Sequence, residues 1–281
     1  MTQAVRGPLL TADILASLGQ ALRDGAERCT CSLDLGLTQS EVGLGPAGFS
    51  RGESHYPWPS ELKDRTIYYW SGAGFEPAAA YAGSLIKLVP TQWGAPTFEI
   101  DGIKMLPTAS KSPFEDARRK VELVGVGRRR VLDTCGGLGY FAAWCQRLGA
   151  TRVLSCEKNS QVLWLRDLNP WSPTSDGTLE VLNVAIERHI TTLADASFDV
   201  ILHDPPRFGI AGDLYARTFY EQLARVLKPG GTLFHYTGSP NRLTSGRDVP
   251  GEVLRRLQQC GFEARRALDG VLGRSVFKSI R

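Results

Sequence analysis

Glycine and acidic residues between positions 133 and 157 form the first pattern with chemical meaning. Gly136, Gly137 and Gly139 fall within four residues, at the end of an apolar run that begins at Val131 and before a helix-forming stretch. Such a turn between a strand and a helix lets a nucleotide-like ligand approach the backbone and the helix N-terminus. Glu157 follows Asp133 by 24 residues, at the predicted end of the next strand, where a carboxylate can accept hydrogen bonds from ribose hydroxyls. The spacing indicates a nucleoside-binding turn, with a surface acid as the alternative for Glu157.

Strand and helix patterns alternate from Pro113 to the end of the chain. The stretches RVLDTC, RVLSCE, TLEVLNV, FDVILHD and GTLFHYTG predict strands, and FEARRAL with VLGRSVFKS predicts a closing hairpin. This alternation predicts a mostly parallel sheet covered by helices, with one reversed strand near its edge. Residues 1–112 are instead β-rich, and PTFEIDGIKML predicts a hairpin with Asp101 and Gly102 at its turn.

Composition narrows the class of protein. The 281 residues are 42% hydrophobic and 22% charged, as expected of a globular protein with one large or two smaller domains. The net charge of +4 is compatible with an anionic partner but indicates one only weakly. The six cysteines include no CxxC pair, so reduced thiols and no metal site are expected. No run approaches the roughly 20 apolar residues of a membrane span, and no leader pattern is visible, so we expect a cytoplasmic protein without a membrane partner.

Four motifs in order carry a family resemblance. VLDTCGGLGYFA, SCEKN, FDVILHDPPRF and LARVLKPGGTLFHYTG resemble the motifs of class I S-adenosylmethionine-dependent methyltransferases. The series HDPPRF, LYARTFY, LFHYTGSP and GRD is also similar to a little-characterised, mostly archaeal group of predicted methyltransferases. The resemblance implies an α/β fold in which residues 113–281 form a Rossmann-like, seven-stranded, mostly parallel sheet with one antiparallel strand. Residues 1–112 would form a smaller β-rich region that covers the acceptor site.

The resemblance implies S-adenosylmethionine as cofactor and S-adenosylhomocysteine as product. Asp133 would orient the methionine amino group, the glycines would leave room for the cofactor, and Glu157 would hold the ribose hydroxyls. Lys158 and Asn159 would flank the adenine. The third strand of the fold often ends in an acid that contacts the adenine amine, but LNVAIE offers Asn183, or backbone atoms near Val184 and Ala185. The predicted cofactor-binding residues are Asp133, Cys135, Gly136, Gly137, Gly139, Glu157, Lys158, Asn183 and Asp204.

The turn HDPPRF would face the acceptor. In nitrogen methyltransferases a similar turn aims a side-chain oxygen and a backbone carbonyl at the acceptor amine, and prolines fix that carbonyl because they lock φ. Asp204, Pro205 and Pro206 are therefore predicted catalytic residues, with a purely structural turn as the alternative. Arg207 stands where that turn has an aromatic residue, and Phe208 follows it. The stretch HYTGSP has no cysteine, which disfavours attack by carbon through a covalent adduct.

Histidines and tyrosines complete the predicted acceptor site. His203 and His235 end neighbouring strands of this fold, at the rim where open α/β sheets bind ligands. Either could accept a proton or orient Asp204, and a buried structural histidine is the alternative. Arg207, Phe208, Tyr215 and Tyr236 are the predicted substrate-binding residues, although core packing explains the tyrosines equally well.

Three functions follow from these residues. The preferred one is methyl transfer to a nitrogen acceptor, either a nucleic-acid base, with RNA favoured over DNA, or a small amine. Aminopropyl transfer from decarboxylated S-adenosylmethionine, as in spermidine synthases, is the first alternative. It is disfavoured because such an enzyme usually needs several acids for its polycationic substrate, whereas HDPPRF supplies an arginine. A non-catalytic module that binds the cofactor is the second alternative.

Overall fold

The computed structural model describes residues 7–207, 209, 211–238 and 248–276. Contacts divide the chain into two compact units. The first unit runs to Phe114 and includes Trp164–Trp171, and the second comprises Glu115–Leu163 and the chain from Ser172 onward. The predicted substrate residue Phe208 and most of the GSP and GRD motifs lie outside the described residues.

The first unit consists of small antiparallel sheets and one helix. Its elements are β1 (Leu9–Leu10), α1 (Ala12–Arg23), β2 (Arg28–Cys31), β3 (Ser40–Gly45), β4 (Gly48–Arg51), β5 (Ser54–Pro57), β6 (Tyr68–Trp70), β7 (Phe75–Pro77), β8 (Ala79–Tyr81), β9 (Leu85–Val89), β10 (Thr97–Ile100) and β11 (Ile103–Lys104). The strand orders are β1-β6-β7, β2-β3-β4-β5 and β11-β10-β9-β8. The predicted hairpin is present, because β10 and β11 pair in the antiparallel sense. Asp101 and Gly102 form its two-residue turn, with the positive φ values of 49° and 79° that such a turn requires.

The second unit contains the large sheet. Its elements are α2 (Pro113–Val124, which begins at the unit boundary), β12 (Arg130–Asp133), α3 (Tyr140–Arg147), β13 (Arg152–Cys156), α4 (Ser160–Leu168, which crosses the second boundary), β14 (Leu179–Leu182), α5 (Ile186–His189), β15 (Phe198–His203), α6 (Arg217–Val226), β16 (Leu227–Tyr236), α7 (Val249–Gln259), β17 (Phe262–Ala267) and β18 (Gly270–Ser275). Two short 3₁₀ helices, Ile190–Thr192 and Gly212–Tyr215, lie before β15 and α6.

Seven strands follow the order β14-β13-β12-β15-β16-β18-β17. The pairs from β14 to β16 are parallel, whereas β18 pairs with both β16 and β17 in the antiparallel sense. The α/β fold predicted from the sequence is therefore confirmed, including the single reversed strand. Strand order turns back at β12, where β13 lies on one side and β15 on the other, and open sheets bind ligands at such a point.

The central strands are apolar because they are covered on both faces. Val131, Leu132, Val200 and Ile201 are fully buried, as expected for parallel strands between helix layers. Helix α6 contributes Phe219, Leu223 and other buried residues to the cluster around β15 and β16. This core fixes the strand ends that carry the candidate site.

Replacement of Gly270 by alanine should destabilise the sheet. A Cβ at this first residue of β18 would lie 2.3 Å from the carbonyl oxygen of His235. Overpacking of this kind costs about 1–3 kcal/mol. Gly212→Ala is the matched control, because a Cβ there meets nothing within 4 Å. Urea unfolding of both variants checks the expectation, and equal midpoints would contradict the register of β16 and β18.

Candidate active site

The glycine turn after β12 folds against the end of β13. Gly136 N–H donates to the carbonyl of Cys156 over 2.8 Å, and Gly139 N–H donates back to the Gly136 carbonyl over 2.7 Å. Gly137 and Gly139 have φ values of 49° and 81°, in the left-handed region that favours glycine. The turn therefore presents backbone rather than side chains at the start of α3.

Glu157 follows β13 directly and is oriented by that turn. Its Oε2 accepts a hydrogen bond of 3.1 Å from Gly137 N–H, and its Oε1 accepts one of 2.9 Å from Asn159 N–H. On β12 the buried carboxylate of Asp133 accepts a hydrogen bond from the Ser155 hydroxyl over 2.8 Å. The two acids predicted on the cofactor side are thus held in fixed orientations at one end of neighbouring strands.

A groove lies beside Glu157, beyond the ends of β13 and β14. Its volume is about 860 Å³, and it brings together residues predicted around the adenine, namely Lys158, Asn159, Asn183, Val184 and Ala185. The Asn183 side-chain amide donates to the Glu157 carbonyl over 2.8 Å, which fixes the amide orientation. Either proposed adenine partner, the Asn183 side chain or the backbone of the next two residues, is available in this groove.

The predicted acceptor turn follows β15, next to the glycine turn. In the parallel pair of β12 and β15, Asp133 lies opposite Leu202, so the chain leaves both strands at the same level. The hydroxyl of Tyr215 donates to the Pro206 carbonyl over 3.2 Å. This bond braces the turn that begins with Asp204, while the following Arg207 is exposed.

A buried lysine from α2 reaches Asp204. The Lys120 side chain is 2% exposed, and its Nζ lies 2.6 Å from Asp116 Oδ2 and 3.7 Å from Asp204 Oδ2. The same Nζ lies 3.7 Å from the centroid of the Tyr236 ring. One ammonium is therefore shared by two carboxylates and an aromatic face.

Opposing influences set the protonation of Asp204. Burial raises the pKa of its carboxyl to about 6, the Lys120 ammonium opposes this increase, and the Asp116 carboxylate adds to it. Burial is the largest cause even though the Asp204 side chain keeps 18% of its exposure. The carboxyl therefore changes charge close to neutral pH, which suits a group that accepts a proton.

Sequence reasoning missed Lys120 and Asp116. Both lie on PFEDARRKVELV, where acids in the first turn are ordinary for a helix and a mid-helix lysine among other charged residues attracts no notice. The available signal was the position of Lys120, three residues after Ala117 and four before Val124, two residues that are buried. A lysine on the apolar face of a helix needs a buried partner, and that partner was four residues away at Asp116.

Both predicted tyrosines lie near this carboxylate. Burial raises the pKa of the Tyr215 and Tyr236 phenols above the ordinary value, and the charge of Asp204 adds to the increase. Both phenols therefore remain neutral hydrogen-bonding groups. Their rings have different neighbours, because Tyr236 lies against the Lys120 ammonium and Tyr215 lies 5.2 Å from the His235 ring.

The two histidines pack against each other with ring centroids 4.4 Å apart, and both are fully buried. His203 Nε2 lies 3.1 Å from the Leu214 carbonyl, which can only accept, so Nε2 carries the proton and Nδ1 accepts from the Thr134 hydroxyl at 2.7 Å. His235 Nδ1 lies 2.9 Å from the Tyr236 carbonyl and therefore donates, while Nε2 accepts from Tyr220 at 2.8 Å.

These bonds favour the structural alternative for His203 and His235 over the proton-transfer role that the sequence also predicts. Both acceptor nitrogens are taken by protein hydroxyls, and burial lowers the pKa of each ring, to about 4 for His235. Neither ring offers a nitrogen to a substrate. The structural alternative, in which the histidines hold the ends of β15 and β16, fits this geometry.

Cys135 lies in the glycine turn and is half-buried. Burial raises the pKa of its thiol strongly, and the carboxylates of Glu157, Asp133 and Asp204 raise it further. The thiol therefore stays protonated, in keeping with the expectation of a small packed residue rather than a nucleophile.

The described residues contain neither a metal site nor a membrane span. Within that part of the chain, no group of three or more His, Cys, Asp or Glu side chains is arranged to hold a metal ion. Among the helices described, none has the length and apolar character needed to cross a membrane.

Solved structures of other proteins share this fold. The chain matches a spermidine synthase in complex with the transition-state analogue AdoDATO, with a TM-score of 0.55, 17% identity, and coverage of 72% of this chain and 74% of that chain. Spermidine synthase from Thermotoga maritima matches with a TM-score of 0.52, 15% identity, and coverage of 70% and 71%. An S-adenosylmethionine-dependent methyltransferase from Mesorhizobium loti matches with a TM-score of 0.41, 18% identity, and coverage of 57% and 96%. The chain thus shares the Rossmann-like fold of the two spermidine synthases.

One sequence relative is close enough to define a family. Uncharacterized protein MJ1233 from Methanocaldococcus jannaschii is 41% identical over 209 residues, which cover 74% of this chain and 72% of that protein. The chain belongs to the same family as MJ1233. No family model matches the sequence.

Buried neutral histidines predict that stability is lost in acid. The pKa of His235 is about 4 in the folded chain and 6.5 when unperturbed, so the unfolded state binds more protons between these values. The stabilisation is complete above about pH 6.5 and disappears as the pH falls through about 4, an effect on the order of 3 kcal/mol.

Urea unfolding across this pH range measures the effect. His235→Asn should flatten the dependence, whereas the control Tyr220→Phe should lower stability at every pH and keep most of the slope, because it leaves the imidazole buried. A slope unchanged by His235→Asn would contradict the buried neutral ring.

Proposed function

We propose that the protein is an S-adenosylmethionine-dependent methyltransferase that acts on a nitrogen acceptor. The supporting observation is that Glu157 and Asp204 follow β13 and β15, the two strands that pair in parallel with β12 on either side, so both acids lie at the same end of the sheet as the glycine turn that follows β12. Residues proposed to bind the nucleoside and the acceptor are therefore within one short stretch of the sheet edge.

The site fits the cofactor in three respects. Glu157 is oriented by Gly137 and Asn159, so its carboxylate is fixed before any ribose binds. The glycine turn exposes backbone, which allows a ligand to approach closely. The groove of about 860 Å³ contains the residues proposed to contact the adenine.

In this reaction the protein's own residues have to align the acceptor nitrogen with the methyl group and remove a proton from that nitrogen. The cofactor supplies a methyl group that is already activated on a sulfonium. Asp204 would accept a hydrogen bond or a proton from the acceptor nitrogen, and Pro205 and Pro206 would fix the turn, since proline restricts φ. Tyr215 holds the Pro206 carbonyl through its hydroxyl. Positioning of the nitrogen lone pair toward the methyl group is the main contribution we assign to this turn.

Aminopropyl transfer is the second candidate. The likeness to spermidine synthases, with TM-scores of 0.55 and 0.52, favours it because those enzymes share the fold. The buried Lys120 beside Asp204 disfavours it, since a polyamine substrate is cationic and would meet a resident positive charge.

Calorimetry with S-adenosylmethionine, S-adenosylhomocysteine and decarboxylated S-adenosylmethionine separates methyl transfer from aminopropyl transfer. Tighter binding of the decarboxylated compound would reverse our preference.

The acceptor is proposed to be an RNA base or a small amine. Transfer of tritium from labelled S-adenosylmethionine into fractionated cell extract tests this choice, with ribonuclease treatment of one half of each fraction. Label lost after ribonuclease identifies RNA, and label retained in low-mass fractions identifies a small molecule.

Glu157→Gln should weaken binding of S-adenosylhomocysteine. The amide places an N–H₂ group against one of two backbone N–H donors and removes the charge, which together cost roughly 10- to 100-fold in affinity. Glu180→Gln is the control, because Glu180 lies on the neighbouring strand in an exposed pair with Arg152. Calorimetric titration of both variants measures the effect, and equal affinities would remove Glu157 from the cofactor site.

Asp204→Asn should abolish turnover and keep S-adenosylhomocysteine affinity within about threefold. Because the pKa of Asp204 is about 6, kcat/KM of the wild type should increase with pH through about 6 and then level off. The exposed Asp213→Asn is the control and should retain both activity and the pH profile. Normal turnover in Asp204→Asn at saturating cofactor would show that this carboxylate has no part in the reaction.

A further inference from the structure

Beside Asp204 there is a cation-binding arrangement that the protein fills with its own lysine. We call Asp116, Asp204 and the ring of Tyr236 the ammonium cage. The Lys120 Nζ lies 2.6 Å from the first carboxylate, 3.7 Å from the second and 3.7 Å from the ring centroid. Only 2% of the lysine side chain is exposed, so water contributes little to the solvation of this charge.

These groups have the chemistry that binds an alkylammonium. Carboxylates neutralise the buried charge, and an aromatic face attracts a cation within about 6 Å of its centroid. A second ring, that of Phe141, lies 5.8 Å from the same Nζ. An enzyme that recognised a protonated amine at Asp204 would need the same set of groups, but here the position is occupied.

We propose that Lys120 determines acceptor specificity by filling the ammonium cage, so that the nitrogen accepted beside Asp204 is uncharged, as in a nucleobase or an amide, and is not an alkylammonium. This inference rests on the proposed transferase function. It narrows the acceptor class.

The physical reason for this selectivity is the short distance between the Lys120 ammonium and any second ammonium at Asp204. Alkylamines are almost fully protonated at neutral pH, because their pKa is about 10.4. A second ammonium that reached Asp204 would lie within a few ångströms of Lys120 and would compete with it for a carboxylate whose charge the lysine already partly neutralises. An uncharged nitrogen meets no such penalty and can still donate a hydrogen bond to Asp204.

Removal of Lys120 should create a site for a free alkylammonium. Lys120→Ala keeps Cβ and deletes three carbons and the nitrogen, which n-propylammonium replaces. We expect this variant to bind n-propylammonium at least about tenfold more tightly than the wild type does. The neutral isostere 1-propanol should show no such gain. The titration is made about two pH units above the pKa of about 6 that Asp204 has in the wild type, because loss of Lys120 removes a charge that lowers this pKa.

Two further variants show where the ligand binds. Lys228→Ala is the matched control, because Lys228 pairs with Asp199 over 2.7 Å at the opposite end of β15 and should gain no affinity. Lys120→Ala combined with Asp204→Asn should lose most of the gain. A gain that survives loss of Asp204, or that also appears with Lys228→Ala, would overturn the proposal.

Titration of the wild type with putrescine gives a test that does not require Lys120→Ala to fold. We expect no binding that depends on Asp204. If the wild type binds putrescine and Asp204→Asn does not, the cage admits a second cation and the proposal is wrong. S-adenosylhomocysteine is titrated into the same samples, so that failure of the proposed transferase function is recognised separately.

Discussion

Parallel pairing of β12 with β15 is the constraint on which the candidate site depends. Asp133 lies opposite Leu202, and the next residue, Thr134, donates its N–H to the Leu202 carbonyl over 3.0 Å. The glycine turn and Asp204 therefore leave the sheet side by side. A slip of one residue would turn each side chain of β15 to the opposite face of the sheet. The catalytic proposal and the specificity proposal would both fail with that register.

The neutral pair of His203 and His235 holds the carboxyl ends of β15 and β16 in place without adding charge to them. His203 joins β12 to the 3₁₀ helix before α6 through the Thr134 hydroxyl and the Leu214 carbonyl. His235 joins β16 to α6 through Tyr220. Because every ring nitrogen is bonded within the protein, the burial penalty for polar groups is small. The charge of the site is consequently left to the acids and to the lysine from α2.

Local patterns were sufficient to predict the main architecture, and tertiary contacts explain what the sequence left undecided. The turn at Asp101 and Gly102 and the reversed strand β18 were predictable because glycine turns and alternation of apolar residues act over a few positions. The burial of His235 depends on Tyr220 from another element, so the sequence could not separate a base from a structural ring. The environment of Lys120 depends on the approach of α2 to Asp204, more than 80 residues later in the chain.

Helix α2 thereby controls a residue at the end of a distant strand. Asp116 and Lys120 are one helical turn apart and act in opposite directions on the pKa of Asp204, while burial provides the largest increase. Substitutions on this one face of α2 can therefore change both the proton affinity of Asp204 and the charge that an acceptor encounters. The glycine turn and Glu157, which follow β12 and β13, are held by separate hydrogen bonds. A substitution on α2 can consequently change the charge beside Asp204 without removing the hydrogen bonds that orient Glu157.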